Sequence, residues 1–260
     1  MGFEIGSDIS TALDIDDYYV YDRNPKDITN TFADRLYKHV RSELPEDYTD
    51  SEDRISSGSK LTAMLFTNRN TFEELVRASE GVVRDLINIF TIAYFDADRR
   101  GRSSIDKKAI VQAARQWFEQ DKARNLDEEL QCVLEKIVGE VIGHRRARSF
   151  LLPRRLEKNH VIQKLFDSRV LHLVQRGYAD KDNPGLRYNI YTLDYGTYVD
   201  LINTSREPQL QLALFEEQSS FRETQLELAL FEEQSSDEQV VPFDDKRSIR
   251  RIVLTEEILQ

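Results

Sequence analysis

Arginine and lysine residues are concentrated in one short part of the chain. Six of them lie within the fourteen positions from Arg145 to Lys158, on both sides of a short apolar run. A guanidinium group is planar and offers paired N–H donors that match the oxygens of a phosphate. The residues expected to contact phosphate are Arg145, Arg146, Arg148, Arg154, Arg155, Lys158, Lys164, Lys181 and Arg187. They predict salt-dependent, largely sequence-independent contact with double-stranded DNA. The alternative is a solvated basic face that pairs with the protein's own acidic residues.

The net charge of the chain is negative, but it is unevenly distributed. The 260 residues carry a formal net charge of −11. Residues 206–260 contain 13 acidic and 6 basic side chains, whereas residues 140–190 contain 5 acidic and 11 basic side chains. A phosphate backbone responds to the local field rather than to the total charge. The acidic composition therefore does not exclude nucleic acid as a partner.

Arg84 is a second candidate for a phosphate contact. It belongs to the step Gly81–Asp85, in which a glycine ends one predicted helix and the arginine enters the first turn of the next. A cation at this end of a helix opposes the helix dipole, and a bound phosphate or the neighbouring Asp85 would offset that cost. The alternative is that Arg84 pairs with Asp85 or with another surface acid.

The sequence contains none of the usual catalytic motifs. The nearest approach to a phosphate-binding loop is Ser57–Lys60, but Asp53 stands in place of its first glycine and Leu61 in place of its hydroxyl residue. Four histidines and one cysteine, all at scattered positions, give no metal-binding pattern. We therefore expect no catalytic and no metal-binding residues in the chain itself.

Cysteine usage and hydropathy bear on the location of the protein. The single Cys132 forms no intramolecular disulfide and indicates a reducing environment. The first residues lack the features of a secretory signal, and no apolar run approaches the roughly 18 residues of a membrane helix. We expect a cytoplasmic protein without a membrane segment.

Apolar periodicity predicts a mainly helical chain of the α+β class. Helices are predicted over Thr29–Leu44, Phe72–Ser79, Val82–Asp98, Lys107–Lys122, Leu126–Ile142 and His160–Ser168. Asn70 or Thr71 would cap the second of these, and Ser104 or Asp106 the fourth. Lys60–Phe66 fits either a strand or the start of a helix, and Met1–Asp22 fits one or two short strands.

A helix followed by a hairpin is predicted next to the basic cluster. Ser149–Leu152 reads as a short strand, and Val170–Arg176 and Tyr188–Leu193 read as the two strands of a β-hairpin. The tip between them, Gly177–Arg187, is polar and glycine-bearing. A helix that leads into a charged hairpin is typical of winged-helix domains, which bind nucleic acid.

The acidic tail contains a duplicated segment. Gln209–Ser220 and Gln225–Ser236 differ at one of twelve positions and repeat with a period of 16 residues. This period is too short for a solenoid, so we predict a linear segment duplicated in a flexible tail. The first copy resembles the Q-L-x-L-F peptide by which bacterial proteins dock on the DNA-polymerase sliding clamp. The residues implied in that contact are Gln211, Leu212, Leu214 and Phe215, then Leu228, Leu230 and Phe231. An amphipathic helix that packs on the body of the protein is the alternative.

The order of elements resembles the C-terminal part of origin-recognition-type bacterial AAA+ ATPases. ASEGVVRDLINIF followed by SSIDKKAIVQAARQWFEQDK is similar to the helical lid of that family, and RGYADKDNPGLRYNIYTLDYGTYVDL is similar to its C-terminal hairpin. The resemblance extends over about residues 1–204 and implies that Arg84 senses the nucleotide γ-phosphate. It implies four regions: the end of an ATPase core and a loop over 1–59, a lid over 60–124, a winged helix over 125–205 and the tail over 206–260.

The missing phosphate loop limits what this resemblance implies. ATP or ADP would bind only together with a core that is separate from or missing in this chain, so hydrolysis is not expected of the chain alone. We expect a nucleotide-responsive DNA-binding part of such an ATPase, with duplex DNA, the sliding clamp, and an ATPase core or further copies of itself as partners. The alternative is a non-enzymatic adaptor that recruits a protein partner through its winged helix and tail.

Overall fold

The protein belongs to the α+β class. The computed structural model describes residues 21, 25–43, 55–179, 185–202, 204, 208 and 252–259. In these ranges the chain is mainly helical and carries a small three-stranded antiparallel sheet. The segment Met1–Asp22, for which one or two short strands were predicted, lies outside the described residues apart from the turn residue Tyr21.

Helices form the first part of the described chain. Their bounds are α1 Pro25–Glu43, α2 Gly58–Leu65, α3 Arg69–Ala78, α4 Val83–Arg99 and α5 Lys107–Trp117. Side chains at the N-caps of α2, α3 and α5 accept hydrogen bonds from backbone N–H groups that have no partner inside the helix. Most of Lys60–Phe66 is helical, because it lies within α2. The prediction that Asn70 or Thr71 caps α3 was wrong, because Asn68 caps it. Asp106, rather than Ser104, caps α5.

Two of the predicted helices change from α-helical to π-helical hydrogen bonding near their C-terminal ends. The segment after α5 is a π-helical turn, Phe118–Lys122, which runs into a 3₁₀ turn, Ala123–Asn125. Helix α6, Glu128–Val138, starts at the Asp127 cap and likewise continues as a π turn, Gly139–His144. Such turns often lie at functional positions of helices.

The sheet follows α6. Strand β1 covers Ser149–Pro153, helix α7 covers His160–Asp167, and β2 and β3 cover Leu171–Ala179 and Arg187–Leu193. The spatial order is β1-β3-β2, with both pairings antiparallel. β2 is longer than predicted at the hairpin end, and two register shifts break its pairing with β3.

The chain returns to the sheet at residues 252–259. Val253 bridges Leu151 in parallel, on the side of β1 that faces away from β3. A 3₁₀ turn, Glu256–Leu259, contacts α6. We name residues 252–259 the return segment. The apolar residues within Ile249–Leu259 suit a docked segment, but no local pattern in the sequence specifies where it docks.

One hydrophobic cluster joins the helices to the sheet. It contains Phe32 of α1, Ile110 of α5, Ile137 of α6, Leu165 of α7 and Leu193 of β3, all of them buried. A smaller cluster covers the other face of the sheet, around Val174 and Ile190. Within the ranges given above, none of the helices has the length and apolar character needed to cross a bilayer.

Candidate nucleic-acid interface

Three of the predicted phosphate contacts meet at one end of the sheet. Arg154 and Arg155 follow β1, and Arg187 begins β3. The pairing of Pro153 with Tyr188 brings these positions together, because the end of an antiparallel strand lies beside the start of its partner. The three arginines line one pocket of about 450 Å³, together with Leu186, Val253 and Leu254. We name this cavity the arginine pocket.

The guanidinium groups of this pocket are accessible. Arg154, Arg155 and Arg187 are exposed. Among the residues that the structure describes, no acid lies within ion-pair distance of them. Arg187 donates only to a backbone carbonyl, that of Gly177, at 3.3 Å. The pocket therefore presents positive charge that a phosphate could neutralise.

Arg145 and Arg146 lie at the other end of β1. Both are exposed and precede the strand, whose five residues span roughly 13 Å. Arg145 is 4.0 Å from Glu140, and Arg146 has a left-handed backbone with φ of 50°. The structure thus does not gather the predicted cluster into one pocket, but divides it between the two ends of a strand.

The structure contradicts the prediction that Arg148 contacts phosphate. Its side chain is only 1% exposed, and Nη1 donates to Glu80 Oε1 at 2.7 Å and to the Tyr198 hydroxyl at 2.9 Å. Its neighbour Ala147 is buried as well, so the chain turns inward here. A guanidinium in this position holds the fold together and does not reach a phosphate in solvent.

The remaining predicted contacts have different surroundings. Lys158 is exposed and precedes α7, and Lys164 on α7 is 3.6 Å from Asp127 at the start of α6. Lys181 lies outside the described residues. The sliding-clamp residues also lie outside them, so that hypothesis stays a prediction; these are Gln211, Leu212, Leu214, Phe215, Leu228, Leu230 and Phe231.

Arg84 pairs with an acid that is distant in the sequence. Its Nη2 atom lies 2.8 Å from both carboxylate oxygens of Asp121, and its guanidinium lies 5.7 Å from the centroid of the Trp117 ring. The alternative in which Arg84 pairs with a surface acid thus describes the structure, with Asp121 rather than Asp85 as the partner. Because this carboxylate neutralises the guanidinium, the site is a poor fit for a phosphate unless Asp121 is displaced.

The described residues near Arg84 do not form a nucleotide site by themselves. A phosphate chain needs a loop of backbone N–H groups, and the sequence has no such loop. The side chain of Arg84 is 59% exposed, so it could meet only a nucleotide that another core presents.

A buried charge network lies beside Arg84 and was not predicted. Lys122 Nζ is 2.9 Å from Asp85 Oδ2 and also contacts Asp194 Oδ2. Arg169 donates to Asp85 Oδ1 at 2.6 Å and contacts Asp121, the acid that holds Arg84. We name Asp85, Asp121, Lys122, Arg169 and Asp194 the buried charge network; Arg84, whose side chain is 59% exposed, joins it from the surface through Asp121.

Lys122 and Asp194 are each stabilised in the charged form by partners of opposite charge. Burial lowers the pKa of the Lys122 ammonium, but the adjacent Asp194 and Asp85 carboxylates outweigh burial and hold this pKa above its ordinary value. Burial raises the pKa of Asp194, but Lys122 and the hydrogen bond from His172 outweigh it, so this pKa lies well below its ordinary range. These opposed contacts favour the charged forms of both Lys122 and Asp194.

A second polar cluster connects the end of β3 to α3. The Tyr195 hydroxyl donates to Glu74 Oε1 at 2.5 Å, and the Arg77 guanidinium lies 5.2 Å from the centroid of the Tyr195 ring. Burial and the Glu74 carboxylate raise the pKa of Tyr195, so it stays a hydrogen-bond donor. No sequence pattern indicated these pairs, because their members lie about a hundred positions apart and periodicity reports only on local neighbours.

Comparisons with known proteins identify no relative of this chain. No family model, no curated protein and no solved structure matches it.

Proposed function

We propose that this chain binds double-stranded DNA through the arginine pocket and the exposed cations around it. The proposal depends on one observation: three accessible arginines, two in the turn after β1 and one at the start of β3, line a single cavity, and none has an acid among the described residues within ion-pair distance. Contacts of this kind are made to the phosphate backbone, so we propose binding with little sequence preference.

The order of elements supports the same proposal. Helix α6, strand β1, helix α7 and the β2–β3 hairpin follow one another, and the sheet order is β1-β3-β2. This order supports the winged-helix hypothesis, and the pocket lies at the end of the hairpin where the loop joins β3. We propose further that the chain serves as the DNA-binding part of an assembly related to origin-recognition-type AAA+ ATPases. In that assembly Arg84 would respond to a nucleotide held by a separate core.

The test is a titration of fluorescent random-sequence duplex at several salt concentrations between 50 and 200 mM. The wild-type protein is expected to bind at low salt and to lose affinity steeply as salt rises. Replacement of Arg154, Arg155 and Arg187 by alanine should weaken binding and reduce the slope of log K against log salt by about 2 to 3, because each phosphate contact contributes about 0.9.

The matched control removes the same charge from the helical part. Arg69, Arg99 and Arg124 are exposed arginines far from β1 in the sequence, and their triple alanine variant should keep the wild-type slope. Failure of the wild-type protein to bind duplex at low salt would rule out the proposed function. An equal loss in both triple variants would show that only total charge matters.

A further inference from the structure

The return segment makes β1 an interior strand. Leu151 donates its N–H to the Ile252 carbonyl at 2.7 Å, and its carbonyl accepts from the Leu254 N–H at 3.0 Å. Leu151 is buried in this arrangement, and these two bonds supply partners for both of its backbone polar groups. The segment therefore satisfies the edge of the sheet and fixes the strand that leads into Arg154.

Side chains of the return segment pack on both faces of the sheet. Ile252, Leu254 and Leu259 are buried in the main cluster, whereas Val253 is half-buried and packs against the smaller cluster that contains Leu151 and Tyr188. This alternation is that of a strand with both faces occupied. The segment is thus a fixed part of the fold.

The same segment builds one wall of the arginine pocket. Val253, which is half-buried, contributes apolar surface to the cavity from this segment, and Leu186, which is 53% exposed, contributes apolar surface from the hairpin. The arginines contribute the charge. A bare inorganic polyanion would engage only the guanidinium groups, whereas a nucleic-acid strand carries an apolar sugar beside each phosphate.

We propose that the return segment is part of the nucleic-acid interface and that the arginine pocket holds one backbone unit of a DNA strand. Its phosphate lies on Arg154, Arg155 and Arg187, and its deoxyribose packs against Leu186 and Val253. The cavity of about 450 Å³ is within the size range of pockets that enclose small ligands. This inference rests on the proposed DNA binding and adds that the pocket selects a nucleic-acid backbone over other polyanions.

The experiment compares two ligands and three single variants. Duplex DNA and inorganic polyphosphate are each titrated against the wild type, Leu186→Asn, Val253→Asn and the control Ile258→Asn. Ile258 is half-buried on the same segment but does not line the pocket. Leu186→Asn and Val253→Asn are expected to weaken DNA binding about fivefold, because they remove apolar contact, and to leave polyphosphate affinity within about twofold. Ile258→Asn should change neither affinity.

Leu186→Asn is not expected to impair folding, because Leu186 is already largely exposed to solvent. A change in its DNA affinity therefore reports on the pocket. Equal loss of DNA and polyphosphate affinity, DNA affinity unchanged in both pocket variants, or the same loss in the Ile258→Asn control would each overturn the inference. In those cases wild-type DNA binding would still stand. If the wild type binds neither ligand, the proposed function itself fails.

Discussion

At the scale of single residues, Lys122 is a cation held in the interior of the protein. Its side chain is 2% exposed and contacts two carboxylates, Asp85 and Asp194, which are themselves buried. A buried ion pair is not in itself a strong source of stability, because both charges lose their hydration. Removal of one partner is costly, however, because the other charge is then left in the interior without compensation.

We therefore expect Lys122→Met to destabilise the protein by about 3 to 5 kcal/mol, even though methionine fills a similar volume. Asp85 retains Arg169 as a partner, so the uncompensated charge falls mainly on Asp194. Urea unfolding followed by circular dichroism measures the free energy of unfolding.

The double variant Lys122→Met/Asp194→Asn serves as the control for this mechanism. It removes the uncompensated carboxylate along with the ammonium, so it should recover at least about 1 kcal/mol relative to Lys122→Met. If the free energy of unfolding of Lys122→Met lies within about 0.5 kcal/mol of the wild-type value, Lys122 does not compensate the buried carboxylates as assigned.

At the scale of elements, the packing of α1 on α2 depends on a glycine. A Cβ at Gly58 would lie 2.5 Å from the Ala33 carbonyl carbon and 2.7 Å from the Asp34 nitrogen. These are backbone atoms of a helix and cannot rotate away, so a larger residue would force the two helices apart.

Gly58→Ala is expected to cost about 1 to 3 kcal/mol, although alanine favours a helix more than glycine does. Gly139→Ala is the matched control, because a Cβ there meets nothing within 4 Å. The thermal unfolding midpoints of the two variants should shift in different directions or by clearly different amounts relative to the wild type. Equal shifts would show that helix propensity, rather than the contact with α1, decides the outcome.

The elements could be predicted from the sequence to the extent that local signals define them. The order of helices and strands, the β-hairpin and the Asp106 cap of α5 follow from periodicity and from capping chemistry within a few residues. The π turns after α5 and α6 were not foreseen, because their sequences continue the helical pattern. Arg148 was assigned to the surface because of its arginine neighbours, whereas its burial depends on Glu80 and Tyr198, which are distant in the sequence.

At the scale of the whole molecule, polar contacts tie the helical part to the sheet part. Asp121 joins Arg84 at the start of α4 to Arg169 in the turn between α7 and β2. Glu80 and Arg148 form a second connection, and the main hydrophobic cluster extends over both parts. A displacement of Arg84 would therefore be transmitted to Arg169, in the turn after α7, through the Asp121 carboxylate that both side chains contact.

These connections predict that the two parts unfold as one cooperative unit. Trp117, the single tryptophan, reports on the helical part, and amide exchange of β3 reports on the sheet. In urea, the fluorescence midpoint and the loss of β3 protection should coincide. Two separated transitions would show that the shared contacts are too weak to couple the parts.

The parallel bridge between Leu151 and Val253 has a consequence for how the polypeptide reaches its native state. Its two residues are about one hundred positions apart, so β1 can pair with β3 well before the return segment arrives. Until then the free side of β1 is an open template for strands of other molecules. High protein concentration during refolding should therefore favour aggregation through this edge.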